Sequence, residues 1–430
     1  MRLDDFVLLL SENLFVYFFV FMGVLLMMYP VIKRNTSCVI DPLFYAIIVA
    51  VFANTIPVFL YVTKSIETKY FLYFLISEFL FWFSFTLSYK AKNHGNLKFY
   101  TVKNEDLILR TINYIFILLL CAIIIIQYIK VGFGLFMEHR LEVFKDSGGL
   151  GVISHIVPPI TTFCIFYSYY SIDRKKTSKL GIITLVIIGI YYILTGAKSS
   201  FLNFAFIFFF YSIYFKKSAI SRCLMRNFII IAVICAIFIF SFNPASSGFR
   251  GTLLTMAYRV VGNGDIYWYA FPNDMIEDIH PAFWFVDLFA NLLYPLRILN
   301  YSDMVAPVGT QLVYDIYPSM EGAVVGANSR TTVWGYAMFN YYGIIFSVLW
   351  GVFLGFLMRK CKRIFPKGLL GVFFAYLLYN NCITGITDPG LFSLSLFDNL
   401  LSTILIIAII AFIGVCQIFI KYIRCEKNTN

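Results

Sequence analysis

Leu14-Phe-Val-Tyr-Phe-Phe-Val-Phe-Met-Gly-Val-Leu-Leu-Met-Met-Tyr-Pro-Val-Ile32 decides the fold. No charge interrupts it, and as a helix rising about 1.5 Å per residue it covers most of a hydrocarbon core about 30 Å thick. The acids Asp4, Asp5 and Glu12 precede it, and Lys33 and Arg34 follow. Comparable runs recur near 43–62, 70–89, 111–130, 151–171, 180–196, 200–215, 227–243, 337–357, 368–385 and 400–420. The pattern predicts an all-α, polytopic integral membrane protein with about 11 (10–12) transmembrane helices. Alternating barrel strands are absent from it, which leaves helices as the spanning elements.

Composition agrees. The chain is 60% hydrophobic and only 13% charged, with a mean hydropathy of +0.81; soluble domains carry about 25% charge. The net charge of +11 does not point to nucleic acid, because the cations sit in short loops beside apolar runs, where they act as orientation signals. Nine Cys are present without a C-x-x-C pair, so neither a disulfide framework nor a metal site is implied. Four scattered His lack ligand spacing. No cleavable leader is expected, since the first apolar run is too long and no A-x-A site follows.

Charge sets the topology. Of the 34 Lys and Arg, 23 fall on one side of the spans: Lys33/Arg34, the loops at 90–110, 174–179, 216–226 and 359–367, and the tail. The positive-inside rule puts that side, and the C-terminus, in the cytoplasm. The segment 281–299 is apolar but holds Asp287. A carboxylate at mid-bilayer costs roughly 2.5–3.5 kcal/mol, and counting the segment as a span abolishes the charge bias. It is therefore read as interfacial or re-entrant. Residues 244–332 then form one large periplasmic loop inserted in a single membrane domain, 1–430.

That loop has no Lys but four Arg: Arg250, Arg259, Arg297 and Arg330. It also has eight acids, His280 and many aromatics. Guanidinium grips phosphate bidentately and keeps its charge, while aromatics beside acids suit sugars. The inventory fits a phosphate-linked glycan at an outer membrane face; the alternative is a structured loop with snorkelling Arg and an aromatic belt. Nine residues at about 100° each put Arg250 and Arg259 on opposite helix faces. Gly262-Asn263-Gly264 breaks any helix before Asp265, with Tyr267-Trp268-Tyr269 behind it. His280 is either a general base or a capping residue. Thr195–Ser200 ends like a P-loop without its spaced upstream Gly, so nucleotide binding is rejected and Lys198 becomes a cation at the outer mouth of the bundle. Asn328 and Arg330 stand just before a span with Gly343, Gly351 and Gly355, glycines that suit close helix packing.

Taken together, the many apolar helices, the Thr195–Ser200 turn, the late loop with Arg250, Arg259 and Asp265, and the run from Asn328 to Gly355 resemble Wzy-type O-antigen (oligosaccharide repeat-unit) polymerases. Lys198 stands where relatives often carry Arg. The resemblance implies a metal-independent membrane glycosyltransferase of the bacterial inner membrane, acting in lipopolysaccharide or surface-polysaccharide biosynthesis. It would join undecaprenyl-diphosphate-linked oligosaccharide units at the periplasmic face, without a cofactor. Membrane lipid and a chain-length regulator protein are the expected partners. On that reading Arg250, Arg259, Arg330 and Lys198 hold the diphosphate, Asp265 or His280 is the base, Trp268 and Trp284 position sugars, and Asn328 lines the cavity. The alternatives are an O-antigen ligase, which differs only in acceptor, and a lipid-linked oligosaccharide flippase or transporter. A transporter should carry charge inside its spans, where Glu78 and Gln127 are the clearest polar residues.

Overall fold

A computed structural model describes residues 1–89, 105–130, 132, 151–174, 178–196, 198–215, 230, 261–322, 326–365 and 368–427. Among the described residues every regular element is helical. In chain order the α-helices are α1 (Leu3–Glu12), α2 (Leu14–Asn35), α3 (Pro42–Val62), α4 (Thr68–Tyr89), α5 (Glu105–Lys130), α6 (Gly151–Asp173), α7 (Ser178–Leu194) and α8 (Leu202–Phe215). They continue with α9 (Asp265–Ala270), α10 (Trp284–Leu293), α11 (Val308–Ile316), α12 (Thr331–Phe339), α13 (Gly343–Ile364), α14 (Leu369–Thr387) and α15 (Pro389–Lys427).

Seven helical segments among the described residues are long and apolar enough to cross a membrane: Leu14–Asn35, Pro42–Val62, Thr68–Tyr89, Glu105–Lys130, Thr331–Cys361, Leu369–Thr387 and Pro389–Val415. Helices α6, α7 and α8 lie where three further spans are expected, and α7 and α8, at 17 and 14 residues, are shorter apolar helices. The span expected at 227–243 is outside the described residues. The chain has the architecture of a multi-pass helical membrane protein. Its outward faces are apolar: Phe15 is 83% exposed on α2, with Phe19, Leu26 and Met27 exposed beside it, a pattern stable in lipid and costly in water.

The chain divides into two compact units. One comprises Met1–Asn96, Ala219–Phe365 and Ala375–Leu396. Its closest helix pair is α4 and α13, and glycine makes that approach possible. A Cβ on Gly351 would stand 2.5 Å from the Phe81 carbonyl oxygen, and one on Gly355 would stand 2.6 Å from that of Phe85. Ser77 and Ser347 share a hydrogen bond of 2.6 Å between the same helices. Small residues let backbones meet in this way inside a bilayer. Helix α3 starts at Pro42 behind the N-cap Asp41, whose carboxylate accepts from Leu43 N at 3.0 Å and from Tyr379 OH at 3.1 Å.

The other unit comprises Leu97–Ser218, Pro366–Phe374 and Phe397–Asn430. Here α6 packs against α5, α7 and α8. Phe163 sets its ring edge-on to Phe116 and Phe373 at 5.3 and 5.4 Å. His155 Nδ1 lies 2.7 Å from Asp398 Oδ1, pairing α6 with α15.

The segment from Gly262 to Arg330 belongs to the first unit. The apolar stretch 281–299 holds only the 10 helical residues of α10, about 15 Å of helix and half a hydrocarbon core. Arg297, with φ +57°, lies just beyond its end. Its sidedness is unusual. Phe283, Trp284 and Phe285 point outward while Asp287, Leu288 and Ala290 are buried.

Candidate functional site

One cluster of the first unit's buried polar groups lies around the N-terminus of α12. Arg330 is the N-cap, at φ +48° and ψ 150°, a conformation that costs a non-glycine residue about 1–3 kcal/mol. The residue is 4% exposed. Its Nε and Nη2 donate to the Asn263 carbonyl at 3.3 and 2.9 Å, and Nη2 also reaches the Val49 carbonyl at 3.4 Å. Among the described residues it forms no ion pair. Glu78 feels its charge, and the Oε1 of that carboxylate accepts from Asn54 Nδ2 at 2.6 Å and Trp82 Nε1 at 2.7 Å.

The first turn of α12 is rich in donors. Trp334 N bonds back to the Arg330 carbonyl at 3.0 Å. The N–H groups of Thr331, Thr332 and Val333 have no acceptor among the described residues, as expected of a helix start. These three residues are buried, and the Thr331 hydroxyl is buried without a partner among the described residues. Thr332 Oγ1 pairs with Tyr267 OH at 2.9 Å, and its carbonyl accepts from Tyr73 OH at 3.2 Å.

Two carboxylates complete the cluster. Asp388, between α14 and α15, accepts from Ser329 N at 2.6 Å, Ser329 Oγ at 2.8 Å and Gly390 N at 2.7 Å. Asp287 on α10 accepts from Trp334 Nε1 at 2.7 Å. Burial pushes its carboxyl up to about 6; the Trp334 hydrogen bond opposes the rise, and the Asp388 charge adds to it.

The residues singled out from sequence are distributed unevenly over this site. Arg330 is at its centre and meets the Gly262–Gly264 turn that leads into Asp265. Asp265 opens α9, half-buried, with Oδ1 taking its neighbour's Ile266 N–H at 2.9 Å. Asn328 is exposed two residues before Arg330. His280 is exposed, and its backbone N–H and carbonyl pair with the Gln311 side chain at 3.0 and 3.3 Å. Trp268 is in the core, 2% exposed, with Phe6 of α1 stacked on it at 4.2 Å. Trp284 is 38% exposed at the start of α10. Arg250, Arg259 and the Lys198 side chain are outside the described residues; the Lys198 backbone opens the short turn Lys198–Phe201 in the second unit.

Sequence reasoning passed over Ser329, Asp388 and the inward use of Asp287. Asp388-Pro389-Gly390 carried a signal, an acid in a turn between two apolar runs. Among the described residues no group of three metal-ligating side chains occurs. Comparison with protein-family models, curated proteins and solved structures returned no match.

Proposed function

We propose that this chain is a membrane glycosyltransferase that polymerises oligosaccharide units carried on undecaprenyl diphosphate, at the periplasmic face of a bacterial inner membrane. The observation that carries the reading is the buried Arg330 guanidinium beside the donor-rich first turn of α12. A cation removed from water needs an anion or a dense set of acceptors, and two backbone carbonyls are few. Helix N-termini attract phosphate through their dipole and unpaired N–H groups. A diphosphate leaving group bound there would have its developing charge stabilised as the sugar departs. Arg250 and Arg259, in the same loop of the sequence, remain candidates for that anion. The resemblance to O-antigen polymerases supplies the glycan half of the reading, and a ligase would use the same donor.

The test is binding of geranylgeranyl diphosphate to the full-length protein in nanodiscs. Loss of one charge-assisted contact, worth about 1.5–3 kcal/mol, should weaken binding by about 10- to 100-fold in Arg330→Ala. Arg330→Lys should recover part of it, having charge without the planar fork. Equal affinity in all three proteins refutes the assignment. A flippase is the second reading, favoured by the His155–Asp398 pair on membrane helices; movement of lipid-linked units across vesicles without chain growth would select it.

A further inference from the structure

The geometry points to Asp287 as the base that takes the proton from the acceptor sugar hydroxyl, a role that rests on the transferase reading above. A base needs a free oxygen aimed by a fixed partner. Asp265 turns Oδ1 onto its own helix start. Asp388 accepts three hydrogen bonds, two on Oδ2 and one on Oδ1, so both of its oxygens are engaged. His280 is exposed, with its backbone tied to Gln311. Asp287 alone among these combines burial with an open oxygen. It is 9% exposed, Oδ1 is held by the Trp334 indole at 2.7 Å, and Oδ2 has no hydrogen bond among the described residues.

Its placement suits the task. Trp334 is one turn along α12 from Arg330, so a single short helix aims the carboxylate and presents the proposed diphosphate site. Asp388, bonded to Ser329 next to Arg330, acts on Asp287 through its charge. That neighbouring negative charge, with burial, makes Asp287 a better proton acceptor than a solvated carboxylate. In the step, the acceptor O–H bond breaks and its proton passes to Asp287 Oδ2. The oxygen's electron pair forms the new bond to the donor's anomeric carbon. The bond from that carbon to the phosphate oxygen breaks, and its electrons leave with the lipid diphosphate. Asp287 then returns the proton to water. No oxidant, metal or further reactant is needed for balance.

The experiment uses the native host strain with its own copy of this chain replaced by each variant, scored by its surface-polysaccharide ladder, together with geranylgeranyl diphosphate binding by the same variants in nanodiscs. Asp287→Asn should cut polymer formation at least about 100-fold, within the range of general-base effects, and bind the prenyl diphosphate within about two-fold of the native protein. Asp287→Glu should restore part of the ladder, and the native ladder should shorten as the medium falls below pH ~6. A full ladder from Asp287→Asn overturns the base alone. Loss of prenyl-diphosphate binding in Asp287→Asn makes the residue structural and also overturns it. An unchanged ladder on deletion of the whole chain refutes the polymerase reading, and the base with it.

Discussion

Replacing Asp287 with Asn should stabilise the protein at alkaline pH and leave it unchanged in acid. The side chain is buried on α10 against Trp334, and its carboxyl is raised from an ordinary 3.8 to about 6. A raised carboxyl means that folding disfavours the ionised form, so between those values the folded state holds more protons than the unfolded one. Stability therefore falls as pH rises through the window and stays low above about 6. At about 1.4 kcal/mol per pH unit, the full fall is about 3 kcal/mol. That figure already sets the Trp334 hydrogen bond against desolvation. Asn keeps an oxygen for the indole and cannot ionise, so the fall disappears. Thermal melting of the full-length protein in detergent, followed by size-exclusion fluorescence from about pH 3 to 8, reads the difference between the two proteins. Other carboxylates titrate in both and cancel. The expected result is near-equal melting at the acid end and a rise of several degrees for Asp287→Asn at pH 8. Parallel curves, or a variant less stable at pH 8, refute the buried, ionisable Asp287 described here.

Trp334→Phe removes the donor that favours ionised Asp287; at about 1.5–3 kcal/mol for a hydrogen bond to a charged group, the carboxyl should titrate about one to two pH units higher. The stability fall on the same melting series should then extend to higher pH and deepen by the same amount, and an unchanged fall contradicts the Trp334 contact. Gly351→Val sets a branched Cβ against the Phe81 carbonyl and the Ser84 side chain of α4. It should cost about 1–3 kcal/mol or more, seen as a lower melting temperature; unchanged melting would mean α4 and α13 do not meet through that glycine.

The spans were legible because a bilayer imposes one length and one composition on every helix that crosses it. Leu14–Ile32 and 43–62 could be read almost to their ends for that reason. The shortness of α10 was legible too, through the single acid in segment 281–299. What could not be read was which faces meet. Trp268, three residues beyond Asp265, looked like a platform for sugar. Its ring is instead covered by Phe6 of α1, a helix whose acidic first turn gave no sign of packing against residues 260 positions away. Helix α1 is tied down by Leu3 N donating to Tyr317 OH at 2.8 Å, another pairing without a local signature. Aromatic residues serve cores and binding sites by the same area and stacking, so their identity alone does not separate the two uses.

Arg330 shows how a local conflict can carry more information than local agreement. Its φ of +48° is one that glycine adopts without cost, and a fold needing only that turn would be better served by glycine. Arginine there adds backbone strain and the burial of a charge, both unfavourable. The hydrogen bonds to Asn263 and Val49 fasten the turn, yet a neutral donor could do so with less desolvation. The guanidinium is therefore best understood by what it offers beyond the fold, a fixed positive charge at a helix start whose first N–H groups have no acceptor among the described residues. Asp388 fits that view, since it binds Ser329 and leaves the first turn of α12 without an acceptor. Asp287 fits it as well, because an acid held by the fourth residue of that helix is placed by the same rigid element as the cation. One short helix thus positions opposite charges that would neutralise each other if they paired, and keeping such charges apart is what a site for an external anion and a proton transfer requires.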